Sequence, residues 1–105
     1  MTDSEDKTNP DSNVVDKTSL ERPKLYKVLL HNDDYTTMDF VILVLGKFFK
    51  KTKQEAFQIM MNVHSNGIGV CGIYTYEIAE SKLVKVTSYA KKSGYPLKCS
   101  ISPED

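Results

Sequence analysis

The stretch "HNDDYTTMDF", residues 31–40, stands between two apolar runs, "LYKVLL" at 25–30 and "FVILVLGKFF" at 40–49. Two adjacent carboxylates and an amide, Asn32, Asp33 and Asp34, separate segments that must be buried. The incoming segment is short and β-rich and ends in a turn signal, so residues 24–32 read as a strand. The outgoing segment changes period. Met38, Val41, Leu45 and Phe48 fall on one helical face, with Ile42 and Phe49 beside them. Thr36 followed by Asp39 resembles a capping box, which predicts a helix from about Thr37 to Lys50.

The pattern then repeats. Thr52 and Glu55 form a second capping signal, and Ala56, Phe57, Met60 and Val63 give the next helix an apolar side. "HSNGIG" ends it, with Gly67 able to adopt positive φ. "IGVCGIYTY" reads as a second strand. Its glycines at 67, 69 and 72 suggest a bulge or a close backbone approach. Thr75 can cap a third helix, from about Tyr76 to Lys92, with a stripe of Ala79, Leu83, Val86 and Ala90. Gly94 closes that helix, Pro96 blocks its continuation, and "PLKCSI" is a last strand. The order is βααβαβ. The expected fold is α+β: a three-stranded antiparallel sheet with three helices packed on one face.

Composition divides the chain near Pro23. Residues 1–22 hold six acids and three bases but few apolar side chains, whereas the remainder carries eleven bases and eight acids. The first part is expected to be a disordered tail, a flexible extension over 1–23, and residues 24–105 one core domain. The formal net charge is zero. "KFFKKTK" is the one short basic cluster, so nucleic acid is not an expected partner. No apolar stretch reaches the roughly 20 residues that span a membrane. The amino-terminal residues resemble neither a secretory signal nor a transit peptide. Cys71 and Cys99 lie in apolar segments and read as buried, reduced thiols. These features point to the cytosol.

Composition and spacing leave the chemistry of Asp33 and Asp34 open. They suit an acid/base pair, metal ligands, an anchor for a cation, or turn residues at a helix start. An EF-hand would need a twelve-residue loop with a closing Glu. A zinc site would need three or four His or Cys ligands, and the chain has two of each without a metal-binding spacing. No nucleophile motif or phosphate-binding glycine loop is present. No cofactor and no catalytic residue is expected. If the helical hairpin folds back on the first strand, His64 approaches Asn32–Asp34, and Met38, Val41, Met60 and Val63 meet beside them. That would be an apolar hole rimmed by an amide, carboxylates and an imidazole. Such a hole with two Met side chains suits a variable apolar group. Ordinary core packing of the same four residues is the alternative.

"YKVLLHNDDYTTMDFVILVLGKFF" (26–49) together with "VHSNGIGVCGIYTYEIAESK" (63–82) resembles the ClpS family. These adaptors deliver N-degron substrates to a Clp AAA+ unfoldase and its protease. The likeness runs from about Lys24 to Cys99. Two positions depart from the family pattern: Thr37 stands where Pro is usual, and Asp39 where Glu is usual. The resemblance implies a monomeric adaptor, not an enzyme. It implies that Asn32, Asp34 and His64, with Asp33 in the same acidic motif, hold the substrate's free α-amino group. Thr36, Met38, Val41, Met60, Val63 and Leu97 would line the pocket for a first residue such as Leu, Phe, Tyr or Trp. Glu77 and Lys82 would face the N-terminal domain of a ClpA-like unfoldase, and the tail would serve in delivery. Two other classes compete. One is an interaction domain like that of the ribosomal stalk protein, which has no peptide pocket. The other is a small metal-dependent enzyme using His31, Asp33, Asp34 and His64.

Overall fold

The computed structural model describes residues 22–105; the expected tail lies almost wholly outside them. The elements are β1 (Leu25–His31), α1 (Met38–Phe49), α2 (Lys53–Asn66), β2 (Ile68–Thr75), α3 (Tyr76–Lys92) and β3 (Lys98–Pro103). The sheet is antiparallel with order β2-β1-β3, so the first strand lies in the middle. The expected βααβαβ order and α+β class are observed. No helix among the described residues is long and apolar enough to cross a membrane.

Alternation along the strands sorts their side chains. Val28 and Leu30 on β1, Cys71 on β2 and Cys99 on β3 are buried. They meet Val44 and Leu45 of α1, Ala56 and Met60 of α2, and Val86 and Ala90 of α3 in one core. The opposite face of the sheet leaves Ile68, Val70 and Ile73 exposed. The glycine-rich strand contains the expected irregularity. Val28 pairs with Gly72 and Leu29 with Val70, which leaves Cys71 as the extra residue of a bulge. Both thiols are free. Burial, with Cys99 near it, pushes the Cys71 thiol far up, and burial raises Cys99 to about 11. Neither is a reactive thiolate near neutral pH.

Local signals terminate most helices where expected. Thr52 and Glu55 form a reciprocal capping box, with bonds of 3.1 and 2.9 Å. Gly67 (φ 86°) and Gly94 (φ 85°) take the left-handed conformation that follows a helix. One cap differs. Thr37, not Thr36, caps α1, and its hydroxyl accepts the Phe40 amide at 3.1 Å. The Thr36 hydroxyl instead donates to Asp33 at 2.7 Å, so that residue belongs to the preceding turn. Phe57 departs from the expected apolar face and is 53% exposed. The last strand also begins later than expected, at Lys98, because its partner β1 ends at His31, opposite Lys98.

Aromatic side chains fix α1 against α3. Phe40 stacks on Tyr89 at 5.7 Å and lies 4.4 Å from Tyr95, while Phe48 meets Tyr89 edge-on at 5.3 Å. Lys82 of α3 donates to the Phe48 carbonyl at 2.7 Å, satisfying an acceptor that the end of α1 leaves without a helical partner. Its ammonium also lies 6.0 and 5.7 Å from the Phe49 and Tyr74 rings.

Candidate functional site

The hairpin of α1 and α2 sets the site at one end of the sheet. β1 delivers Asn32–Asp34 to that end, and α1 starts there. After the Lys50–Thr52 turn, α2 returns to the same place. The Asn32 amide donates to the Gly67 carbonyl at 2.9 Å, which joins the exit of β1 to the end of α2. Between them lies a cavity of about 410 Å³, lined by residues 32–38 together with Val41, Met60, Val63 and His64. A volume of this size is typical of small-molecule and side-chain pockets.

Its floor is apolar. Val41, Met60 and Val63 are buried. Met38, in the first turn of α1, is 46% exposed and stands at the rim. Asn32, Asp34 and His64 are all exposed on the lining. The two adjacent aspartates are unequal. Asp33 Oδ1 accepts the Tyr35 and Thr36 amides at 2.8 and 2.7 Å, and Oδ2 accepts the Thr36 hydroxyl. Burial pushes its carboxyl up, but the Thr36 hydroxyl and the two amides outweigh burial and hold it below its ordinary value. A depressed carboxyl adds stability above the ordinary carboxylate range and loses it as acid protonates the folded form. Asp34 accepts no side-chain or backbone hydrogen bond among the described residues and faces solvent.

Nine of the ten residues expected at the amine lip and the pocket meet in this cavity. Leu97 does not. It is 5% exposed, belongs to the buried cluster, and is not part of the lining. Two lining residues were missed, Tyr35 and Thr37. Their signal was position: each lies inside the loop that carries the others. Tyr35 is 78% exposed. His31 turns away from the cavity, its Nε2 lying 2.7 Å from the Ser100 hydroxyl across the sheet. Burial and then Lys98 lower its pKa. No group of three or more His, Cys, Asp or Glu among the described residues is placed to hold a metal ion.

A family model described as "ATP-dependent Clp protease adaptor protein ClpS" matches residues 21–100. The chain belongs to the ClpS family. It is 58% identical over 84 residues to the ATP-dependent Clp protease adapter protein ClpS of Desulfatibacillum aliphaticivorans, covering 80% of this chain and 81% of that one. The counterpart in Oleidesulfovibrio alaskensis is 48% identical over 101 residues, 96% of this chain and 97% of its own. A solved structure, Agrobacterium tumefaciens ClpS2 bound to L-phenylalaninamide, superposes with a TM-score of 0.76 at 41% identity. The match covers 79% of this chain and all of that one. The chain is therefore an adaptor of the Clp protease and not an enzyme. The stalk-like and metal-enzyme alternatives have no support in these matches.

Proposed function

We propose that this ClpS chain captures polypeptides by their first residue and hands them to a Clp AAA+ unfoldase. The required features are a free α-ammonium and a bulky apolar side chain such as Leu, Phe, Tyr or Trp. One observation carries the proposal: the apolar floor and the exposed Asn32, Asp34 and His64 share one cavity. An N-terminal residue presents a cation and an apolar group on the same carbon, and this cavity offers a partner for each. L-phenylalaninamide, the molecule bound by the Agrobacterium relative, has both groups. Burying a Leu or Phe side chain contributes about 1.5–3 kcal/mol. Each charge-assisted hydrogen bond to the ammonium adds about 1.5–3 kcal/mol before association costs. The expected Kd is about micromolar or below.

The test is a titration with peptides that differ only in the first residue. Phe and Leu should bind, and Ser and Asp should not; a flat series would overturn the proposal. The same series on Met38→Ala probes the rim. A Cβ-branched Val or Ile carries its bulk beside the peptide backbone, where Met38 would press on it. The variant should bind Val and Ile better relative to Leu, by about 5-fold or more. An unchanged ratio would make Met38 ordinary packing.

The unfoldase face is proposed at the start of α3. Glu77 is exposed in the first turn of that helix. Lys82 already bonds to Phe48, so only part of its ammonium remains for a partner. Glu77→Lys should weaken capture of a ClpA-like N-terminal domain about 10-fold and leave peptide affinity unchanged. A loss of peptide affinity instead would place Glu77 in the wrong role.

A further inference from the structure

The pocket proposed above needs a carboxylate facing the ammonium, yet two adjacent aspartates occupy its lip. We infer that Asp33 is a positioning residue that sets the spacing between the apolar hole and the amine lip where Asp34 was placed above. This inference rests on that pocket. Both Asp33 oxygens are committed to Tyr35 and Thr36 by three bonds of 2.7–2.8 Å. A carboxylate so engaged is turned toward its own loop and has little acceptor capacity left.

The consequence extends along the chain. Because Asp33 holds Thr36 in the turn, Thr37 becomes the first residue free to cap α1. Its hydroxyl accepts the Phe40 amide, and its carbonyl accepts the Val41 amide at 3.2 Å. That start places Met38 in the first turn, at the rim, and Val41 one turn further, in the floor. Residues 33–38 thus form a bracket. One end presents Asp34 to the ammonium, and the other presents Met38 to the side chain. The length of this bracket decides which side-chain shapes fit when the amine is seated. Asp33 acts on selectivity without touching the substrate.

Asparagine separates geometry from charge at this position. Its carbonyl oxygen accepts the same two amides, and its NH₂ donates to the Thr36 hydroxyl, which reverses one bond and keeps all three. Alanine keeps none. Titrations use Phe-, Leu- and Ile-initiated peptides on wild type, Asp33→Asn, Asp33→Ala and Asp34→Asn. Asp33→Asn should bind the Phe peptide within about 3-fold of wild type and keep the Leu-to-Ile ratio. Asp33→Ala should lose about 10–100-fold, with the Leu-to-Ile ratio falling toward one. Asp34→Asn should lose about 30-fold or more at an unchanged ratio. Amide hydrogen exchange reads the bracket directly: Tyr35 and Thr36 should be slow in wild type and Asp33→Asn and fast in Asp33→Ala. If Asp33→Asn falls as far as Asp33→Ala, the residue acts by charge and the inference is overturned. Equal exchange in all three proteins overturns it as well. A wild type that binds none of the peptides would instead remove the pocket itself, a distinct failure.

Discussion

Acetylating the amino group of a Phe-initiated peptide is expected to abolish its binding, and Asp34→Ala to weaken the free peptide at least about 100-fold. Acetylation replaces a cation with three donors by a neutral amide with one. The exposed lip of Asn32, Asp34 and His64 offers acceptors that an amide cannot satisfy in number or charge. The side chain would still fit the hole, yet its burial, about 1.5–3 kcal/mol, does not exceed the cost of association. Asp34→Ala removes the free carboxylate and leaves the ammonium facing a lip without its counter-charge. Losing one charge-assisted partner typically costs 2–5 kcal/mol, hence the size of the expected effect. Fluorescence anisotropy with labelled free and acetylated peptides checks both. Superimposable curves for the two peptides would mean that the amine is not read at all.

The second large effect is expected at Gly69, which is buried and lies outside the cavity lining. A Cβ there would stand 2.7 Å from Val63 Cγ2 and 3.2 Å from the Ile59 carbonyl oxygen. Val63 Cγ2 can move only by a change of χ1, which a β-branched residue in a helix resists, and the Ile59 carbonyl is helical backbone. Gly69→Ala should therefore shift the Ile59–Val63 stretch of α2 away from β2. That stretch carries Val63 in the pocket floor and leads into His64 at its lip. Overpacking of this kind costs about 1–3 kcal/mol of stability. Peptide affinity should fall about 10-fold or more, since proximity on this scale decides whether several contacts form at once. Urea unfolding and peptide titration of the same preparation measure the two effects. Val70→Ala, one residue along on the open face, is the control and should change neither by much. Affinity retained in a destabilised Gly69→Ala would show that α2 does not set the pocket.

Local chemistry made most of the architecture legible. Thr52 with Glu55, Gly67 and Gly94 mark their helix ends through bonds or φ values confined to a few residues, so spacing alone locates them. The amine lip and the floor were legible for a related reason: a hairpin of two helices returning to its start brings Asn32 and His64 together whatever the core details. Reading was less accurate where a local rule had a rival. Thr36 and Thr37 both suit a cap, and the choice was made by Asp33, whose carboxylate claims the Thr36 hydroxyl. Phe57 has the right period for the core but lies on the outer side of α2. Distant partners left no trace in spacing. Nothing between Phe48 and Lys82 announces that the lysine will satisfy the helix-end carbonyl. Leu97 was placed in the pocket by likeness to other chains, and its burial depends on how the segment before β3 enters the core.

The strand order has a consequence for when this molecule can work. Among the described elements β1 comes first and needs two neighbours; one of them, β3, comes last. Until residues 98–103 emerge and pair, His31 lacks both Lys98 and Ser100 beside it. One whole edge of the central strand stays bare in that interval, ready to pair with any other extended chain. The lip at Asn32 follows directly from that strand, so its aim is settled only once both edges are filled. A chain interrupted before Lys98 should hold no peptide and should aggregate. If the chain captures peptides as proposed, it does so only after residues 98–103 have paired.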